Sequence, residues 1–581
     1  MEKLRLYIEE FGCVPDSGTD LVPPMLAALE RTRECNGECE IIFPFGRYDA
    51  LCDALKTKDI YVSNTDSGED ETDIDRKFAF LLENCENMTL NGCGSTVVFH
   101  GQMTLLGILN SRNITVKNFI FDMKTPTLAE MTVTDIGADY LDCAVLRGCP
   151  YRIREGKIEW YGENFAFSSG TSQVFDPESG LTWRAFSPLA DENAVFEELS
   201  PGKVRLHFKP GADGKNPYEA KIGFVFQMRD PYRDDCGILV SDSKNIRFQN
   251  MTVHYMHEMG LMVQNSEDIF TDGFNCLPGA GRTASVSSDI MHFSGCRGTV
   301  RIENGCFVGA HDDAINIHGT HLQVMKNENG FVTLQFMHKQ TFGIGGFRVG
   351  DRIAAIDPET LLTVGTAVVK AVQELSPRKL LLELDSPTPA FSAGAAVENL
   401  SASPDVVIKN NSFFRIPTRG ILVTSRGRVQ IKNNLFSDIK MCGILIADDA
   451  RSWFESGGVE NVTVSGNVFR RSGGPFMEIK PENKRHAGAV HKNISVTGNT
   501  IYFPKNSDKM YSMLCPWMEK QNNVILKAKS TDGITFCDNE IIGEEDTCVL
   551  SFLNCDGVCV SHNRFNGEIK TEERKGEYVE E

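Results

Sequence analysis

No stretch of this 581-residue chain approaches 18 uninterrupted apolar residues, the length a membrane-spanning helix needs. The opening MEKLRLYIEEFG carries no apolar h-region. The chain as written is therefore expected to be soluble: cytoplasmic if its N-terminus is native, secreted or periplasmic if an export signal has been removed. An excess of positive charge is also missing. Lys and Arg number 59 against 79 Asp and Glu, a formal charge of -20. The field of such a chain repels nucleic acid, anionic membrane and acidic polysaccharide, so neutral or zwitterionic ligands fit better. Paired metal-binding cysteines are absent too. The 18 cysteines include no CxxC, and Cys35 and Cys39, four residues apart, lack a nearby second pair or a histidine cluster. Several, among them Cys93, Cys296, Cys306 and Cys442, sit beside a glycine in apolar strand-like runs, as buried free thiols do. Neither a disulfide framework nor a zinc site is expected.

What the chain does have is one pattern many times over. ENMTLNGCGSTVVF, RNITVKNFIFDM, KNIRFQNMTVHYM, GTVRIENGCFVG, DVVIKNNSFFRI, GRVQIKNNLFSDI, ENVTVSGNVFRR, KNISVTGNTIYF, DGITFCDNEIIG and DGVCVSHNRFNG all alternate apolar and polar residues between Asn or Gly steps. Alternation of period two argues for strands with one buried face. Asn and Gly supply left-handed bends. The central copies recur roughly 22 to 34 residues apart once two larger gaps are excepted, the size of one coil of a right-handed parallel β-helix plus its loops. A leucine-rich solenoid lacks its Leu framework here. LRLYIEEFG, a short amphipathic helix capped by Asp20, and EIIFPFGRY read as a cover for the first coil.

Two stretches break the pattern with long strand-like segments and no Asn motif, and each has the length of a small barrel inserted in a loop. The fold class is thus all-β, a right-handed parallel β-helix with two inserted small β-barrel domains. The divisions are 1-135 for the N-terminal cap and first coils, 136-235 for the first barrel and 236-320 for central coils. A second barrel over 321-403, C-terminal coils over 404-567 and a charged, frayed tail over 568-581 complete the chain.

The chemistry concentrates in SDIMHFSGCRG and HDDAINIHG. Sliding one along the other by 24 positions places Asp289 on Asp313, His292 on Asn316 and Ser294 on His318. Ile315 and Ile317 then face the core, and Asn316 and His318 face out. Neighbouring coils add Met262 and Gln264, Leu422 and Thr424, Leu445 and Ala447, and Glu478 and Lys480 to this outward column. Asp312 and Asp313, being adjacent, cannot both face out of a regular strand, which puts them at the corner before it, beside Asp289. Three carboxylates so close repel one another, and one of them should hold a proton near neutral pH. A protonated acid beside an ionised base is what glycosidic cleavage needs. Arg419 falls at the same corner one coil on. Trp453 and Glu455 lie in a loop that lengthens another coil, where an aromatic face could stack on a sugar ring. His257 and Arg229 are weaker candidates, and His254 and His491 read as structural.

DIMHFSGCRG, HDDAINIHGTH, RGILVTSRG and WFESGGVENVTV, with the N-terminal FPFGRY, resemble glycoside hydrolase family 110, the bacterial α-1,3-galactosidases. The resemblance spans nearly the whole chain. It implies hydrolysis, with inversion, of terminal α-1,3-linked galactose from blood group B antigen or linear Galα1-3Gal, by a homodimer without cofactor or metal. It also implies Asp312 as general acid, with Asp289 and Asp313 as the base that holds and deprotonates water. Other readings are a different β-helix polysaccharide hydrolase or lyase, and a non-catalytic glycan-binding solenoid.

Overall fold

The computed structural model describes residues 3–33, 37–212, 214–386, 388–503, 523–543 and 546–576. The alternating segments form the strands of a right-handed parallel β-helix. Successive coils pair in parallel with their inward positions aligned: Val406 with Val429, Val429 with Val462, Val462 with Ile494, and Ile494 with Ile534. One apolar core therefore runs along the coil. Inside it Phe307, Phe413, Phe436 and Phe469 stack with centroids 5.3, 4.7 and 4.7 Å apart, the spacing of neighbouring strands.

Asparagine plays two parts. At the bends Asn410, Asn433 and Asn493 take φ of 58°, 55° and 53°, the left-handed region that Asn tolerates. One residue after the first two of these, Asn411 and Asn434 start a buried ladder that continues through Asn467, Asn499 and Asn539. Each amide donates to the next carboxamide oxygen at 3.0–3.1 Å and to a backbone carbonyl. That next oxygen also accepts the backbone N–H of the residue below, so the ladder leaves none of these groups unpaired. Asn467→Ala orphans the Ile431 carbonyl and the Asn434 N–H. It should lower unfolding free energy by about 1–3 kcal/mol, read from urea melts.

Strand Leu4–Tyr7 pairs with Cys39–Ile42, which pairs with the first coil, and helix α1 (Val22–Thr32) lies between them. Asp20 accepts the Val22 N–H at 3.0 Å. Every described cysteine is a free thiol. Cys296 and Cys442 are buried, whereas Cys306 is half-buried and Cys93 is exposed, because its φ of 50° puts it at a bend. Cys35 lies outside the described residues. No described helix is long and apolar enough to cross a membrane.

The first insertion is an antiparallel sheet running from Leu181–Ala185 through Thr171–Asp176, Val225–Arg229, Leu128–Ile136, Tyr140–Val145 and Lys203–His207 to Val195–Ser200. It begins at Leu128, earlier than 136, because LAEMTVTDI alternates like the coil strands before it and the sequence shows no seam there. The second is a closed barrel between Leu322 and Asn399. The tail reading also needs correction. Glu568–Arg574 is a strand paired in parallel with Thr547–Leu553, its charges spread over a face at the end of the coil.

Six parallel strands of one sheet carry the site: β1 (Met259–Gln264), β2 (Met291–Ser294), β3 (Ile315–Thr320), β4 (Arg419–Val423), β5 (Cys442–Asp448) and β6 (Met477–Pro481). Their register joins Met262 to His292, His292 to Asn316, Asn316 to Leu422, Leu422 to Leu445, and Leu445 to Glu478. The outward column is the one the repeat implies.

Candidate active site

Asp289 precedes β2, and Asp312 and Asp313 precede β3, at the same corner of successive coils. They offer carboxylate oxygens within 4.8 Å of one another. The backbone locks the corner. The Asp313 N–H donates to Asp289 Oδ1 at 3.0 Å, and Asp313 Oδ1 accepts from the Thr418 hydroxyl at 2.6 Å and the Arg419 N–H at 3.1 Å. Arg419 Nη2 reaches Asp313 Oδ2 at 2.8 Å. Asp312 turns the other way, to Arg184 Nη2 at 3.1 Å and Arg233 Nη2 at 2.8 Å. Both arginines come from the first insertion. That insertion also grips the corner through Gln173, which donates to the His311 carbonyl at 2.6 Å.

These contacts separate the three acids. Burial and the charge of Asp312 push Asp289 up to about 7. Asp313 is pushed up to about 8 by burial against the pull of Arg419, with Asp312 and Asp289 adding to the rise. Burial would raise Asp312 as well, but Arg184 and Arg233 outweigh it and hold that carboxyl below the usual range.

A cavity of about 470 Å³ is lined by all three aspartates with His292, Asn316, Arg419, Trp453 and Glu455. Asn316 Oδ1 and Arg419 Nε are buried there without a protein hydrogen-bond partner. Trp453, 43% exposed, is presented by a turn in which the Asp449 carboxylate accepts the N–H groups of Arg451, Ser452 and Phe454. The second insertion backs it, with the His338 ring 4.4 Å from the Trp453 ring.

Five candidates fall outside the cavity lining. Glu478 and Lys480 occupy the expected positions on β6, but the cavity passes them and is lined by Glu482 and Lys484. His257 is buried and Arg229 half-buried at the joint between coil and first insertion. His257 bonds Asp234 at 2.7 Å and Thr127 at 2.6 Å, and Arg229 pairs with Glu258 at 3.5 Å. His318 sits behind the wall, bonded to His292. His254 and His491 bond to backbone, as structural histidines do. The repeat pattern gave no sign of Asn64, Arg184, Arg233 and Asp449. Arg233 follows Arg229 by four residues in MRDPYRDD, and nothing in that run tells which arginine reaches the site.

Among the described residues two clusters have the residue types of metal ligands, and neither suits an ion. Asp312 and Asp313 already neutralise guanidinium groups. His292 Nε2 and His318 Nε2, near Glu455, are 2.7 Å apart, a hydrogen bond, whereas two nitrogens on tetrahedral zinc stand about 3.3 Å apart.

Models of two domains match this chain: GLAA-B beta-barrel domain I over residues 129–215 and GLAA-B beta-barrel domain II over residues 331–393. Alpha-1,3-galactosidase A of Bacteroides thetaiotaomicron is 37% identical over 95% of each chain. The chain belongs to glycoside hydrolase family 110. Alpha-1,3-galactosidase B of the same organism is 30% identical over 97% of this chain and 91% of that protein. Among solved structures, the family 110 chain is similar to the Streptococcus pneumoniae surface protein and adhesin PfbA, with a TM-score of 0.45 and 11% identity over 98% of this chain and all of that one.

Proposed function

We propose that this family 110 protein is an exo-acting glycosidase that releases terminal α-1,3-linked galactose, with inversion, from glycans such as blood group B antigen or linear Galα1-3Gal. The observation that carries the reading is the three aspartates gathered on one wall of a cavity that also holds a half-exposed tryptophan. The names of the relatives supply the linkage. One pyranose fits the volume, its apolar face against Trp453 and its hydroxyls against Asn316 Oδ1 and Arg419 Nε.

Asp312 is the general acid and the Asp289–Asp313 pair the base. The three carboxyls lie close enough for their proton exchanges to depend on one another. In the free protein Asp312 is ionised, so the acid role requires a proton to reach it once sugar fills the cavity. Arg184, whose side chain is 45% exposed at the rim, can be displaced by the sugar, and the protonated neighbours lie within 4.8 Å. That transfer leaves the pair ionised to hold and deprotonate water, and the water's proton then restores it. Two sides of the cluster, Asp312 towards the first insertion and the bonded pair towards β4, support inversion. Retention is a second reading, because each aspartate has a carboxylate oxygen within 4.8 Å of the others, whereas inverting pairs stand roughly 6.5–9.5 Å apart and retaining ones roughly 5–5.5 Å.

The dimer belongs to the same proposal. Phe186, Val195 and Ile222, exposed on the first insertion, offer apolar surface for it to bury, and sedimentation should give twice 64.5 kDa. The function is tested by incubation with α-1,3-, α-1,4- and α-1,6-linked digalactosides and B trisaccharide. Galactose release confined to the α-1,3 linkages is expected, and ultraviolet-absorbing unsaturated products, or no turnover at all, would reject it.

A further inference from the structure

Behind the cavity wall the hydrogen bonds continue in a line. Asp289 Oδ2 meets His292 Nδ1 at 2.8 Å, His292 Nε2 meets His318 Nε2 at 2.7 Å, and His318 Nδ1 meets the Gly319 carbonyl at 2.6 Å. A carbonyl can only accept, so His318 Nδ1 carries hydrogen. With His292 neutral, two proton arrangements then satisfy every atom in the line. In one, Asp289 is protonated and donates to His292 Nδ1, while His292 Nε2–H donates to a neutral His318. In the other, Asp289 is ionised and accepts from His292 Nδ1–H, while His318, doubly protonated, donates to His292 Nε2. Both contain the same number of protons. His318 Nε2 also lies 3.5 Å from Glu455 Oε1, a carboxylate on the cavity wall.

We propose that His292 and His318 form a proton path between Asp289 and Glu455, with His318 the positioning residue that lets Asp289 act as an ionised base. The inference deepens the function proposed above and rests on it. Asp289 passes its proton to His292 Nδ1 as His292 Nε2–H passes to His318 Nε2. No bond between heavy atoms changes, and the positive charge formed on His318 faces the Glu455 carboxylate. From His318 the proton leaves through Glu455 to the cavity. His292 is a conduit and not a store: burial and the neighbouring His318 bring it down to about 3, so it does not hold charge of its own. The groups that face the path are Asp312, Asp313, Arg233 and Arg419 around Asp289, and Glu455 beside His318. Asp289 and Asp313, both pushed upwards, hold more protons near neutrality than one acid step uses, and the path gives the surplus an exit.

His318→Gln keeps an acceptor for His292 Nε2–H but cannot take a proton. In this variant competitive inhibition by galactose should stay within about twofold, and kcat at pH 6 should fall by roughly tenfold or more. The deficit should shrink to about twofold at pH 9, where Asp289 ionises unaided, so that the acidic limb of kcat/KM moves up by about one pH unit. Glu455→Gln, on the cavity wall, should move the same limb in the same direction, which keeps the test open if His318→Gln melts early. A loss of equal size at every pH, a raised KM with an unmoved limb, or stoichiometric zinc removed together with activity by a chelator would overturn the path. Wild-type turnover in the same assays separates the failures. An active wild type with unmoved limbs sinks the path alone, and an inactive one sinks the function.

Discussion

Asp312→Asn should lower kcat on Galα1-3Gal by about 10²- to 10⁴-fold, the contribution of a positioned general acid, while slowing turnover of α-galactosyl fluoride far less. Fluoride departs without a proton, so a missing acid matters little to it. The contrast between substrates tests the role and not mere damage. It also decides between two divisions of labour, since the free protein's electrostatics place protons on Asp289 and Asp313 and charge on Asp312. If Asp312 instead served as base or nucleophile, both substrates would suffer alike, and Asp313→Asn would be the variant rescued by fluoride. Asparagine preserves the shape of the corner, and Arg184 and Arg233 can still donate to its carbonyl. A thermal melt within a few degrees of the parent is the accompanying control.

The second large effect is on stability. Asp313 is 1% exposed, and among the described residues Arg419 is its single cationic partner in direct contact. Arg419→Met should cost about 2–4 kcal/mol at pH 9, where the parent's Asp313 is ionised against Arg419 and the variant has to hold that buried carboxyl protonated. At pH 6 Asp313 holds a proton and the loss falls to about 1–2 kcal/mol, that of a hydrogen bond. The sign follows from linkage. The folded carboxyl lies at about 8, above its unfolded value of about 3.9, so its contribution is fully present at low pH and is lost as pH rises through the folded value. Without Arg419 the folded value climbs further, and the variant's melting temperature should decline with pH more steeply than the parent's. Equal destabilisation at pH 6 and pH 9 would contradict this account of the corner.

How much of this was legible beforehand depends on where each contact is made. Asp289 and Asp313 could be paired because the coil repeats, and the offset of 24 that aligns their buried neighbours is the register observed between β2 and β3. Arg419 was legible for the same reason. Arg184 and Arg233 were not. They meet Asp312 across 128 and 79 residues, from an insertion whose docking angle no coil periodicity encodes. Their absence from the sequence reading matters, because they set the charge of the residue taken as acid. Glu478 and Lys480 fail differently. Their register is right, but the cavity, bounded by the Asp449 turn and the barrel behind Trp453, is lined in their place by Glu482 and Lys484, past the end of β6. His257 shows the limit of residue type as evidence, since a histidine near a site is often fastened to structure, as this one is by Asp234 and Thr127.

The account depends most on the arrangement of Asp289, Asp312 and Asp313 around a single sugar, and the first-formed anomer of galactose reports it directly. Wild-type protein incubated with Galα1-3Gal in an NMR tube should release β-galactose first, with the α anomer growing in only at the rate of mutarotation. Initial α-galactose would mean retention, and would contradict a mechanism in which Asp312 protonates the departing oxygen while Asp289 and Asp313 direct water to the opposite face.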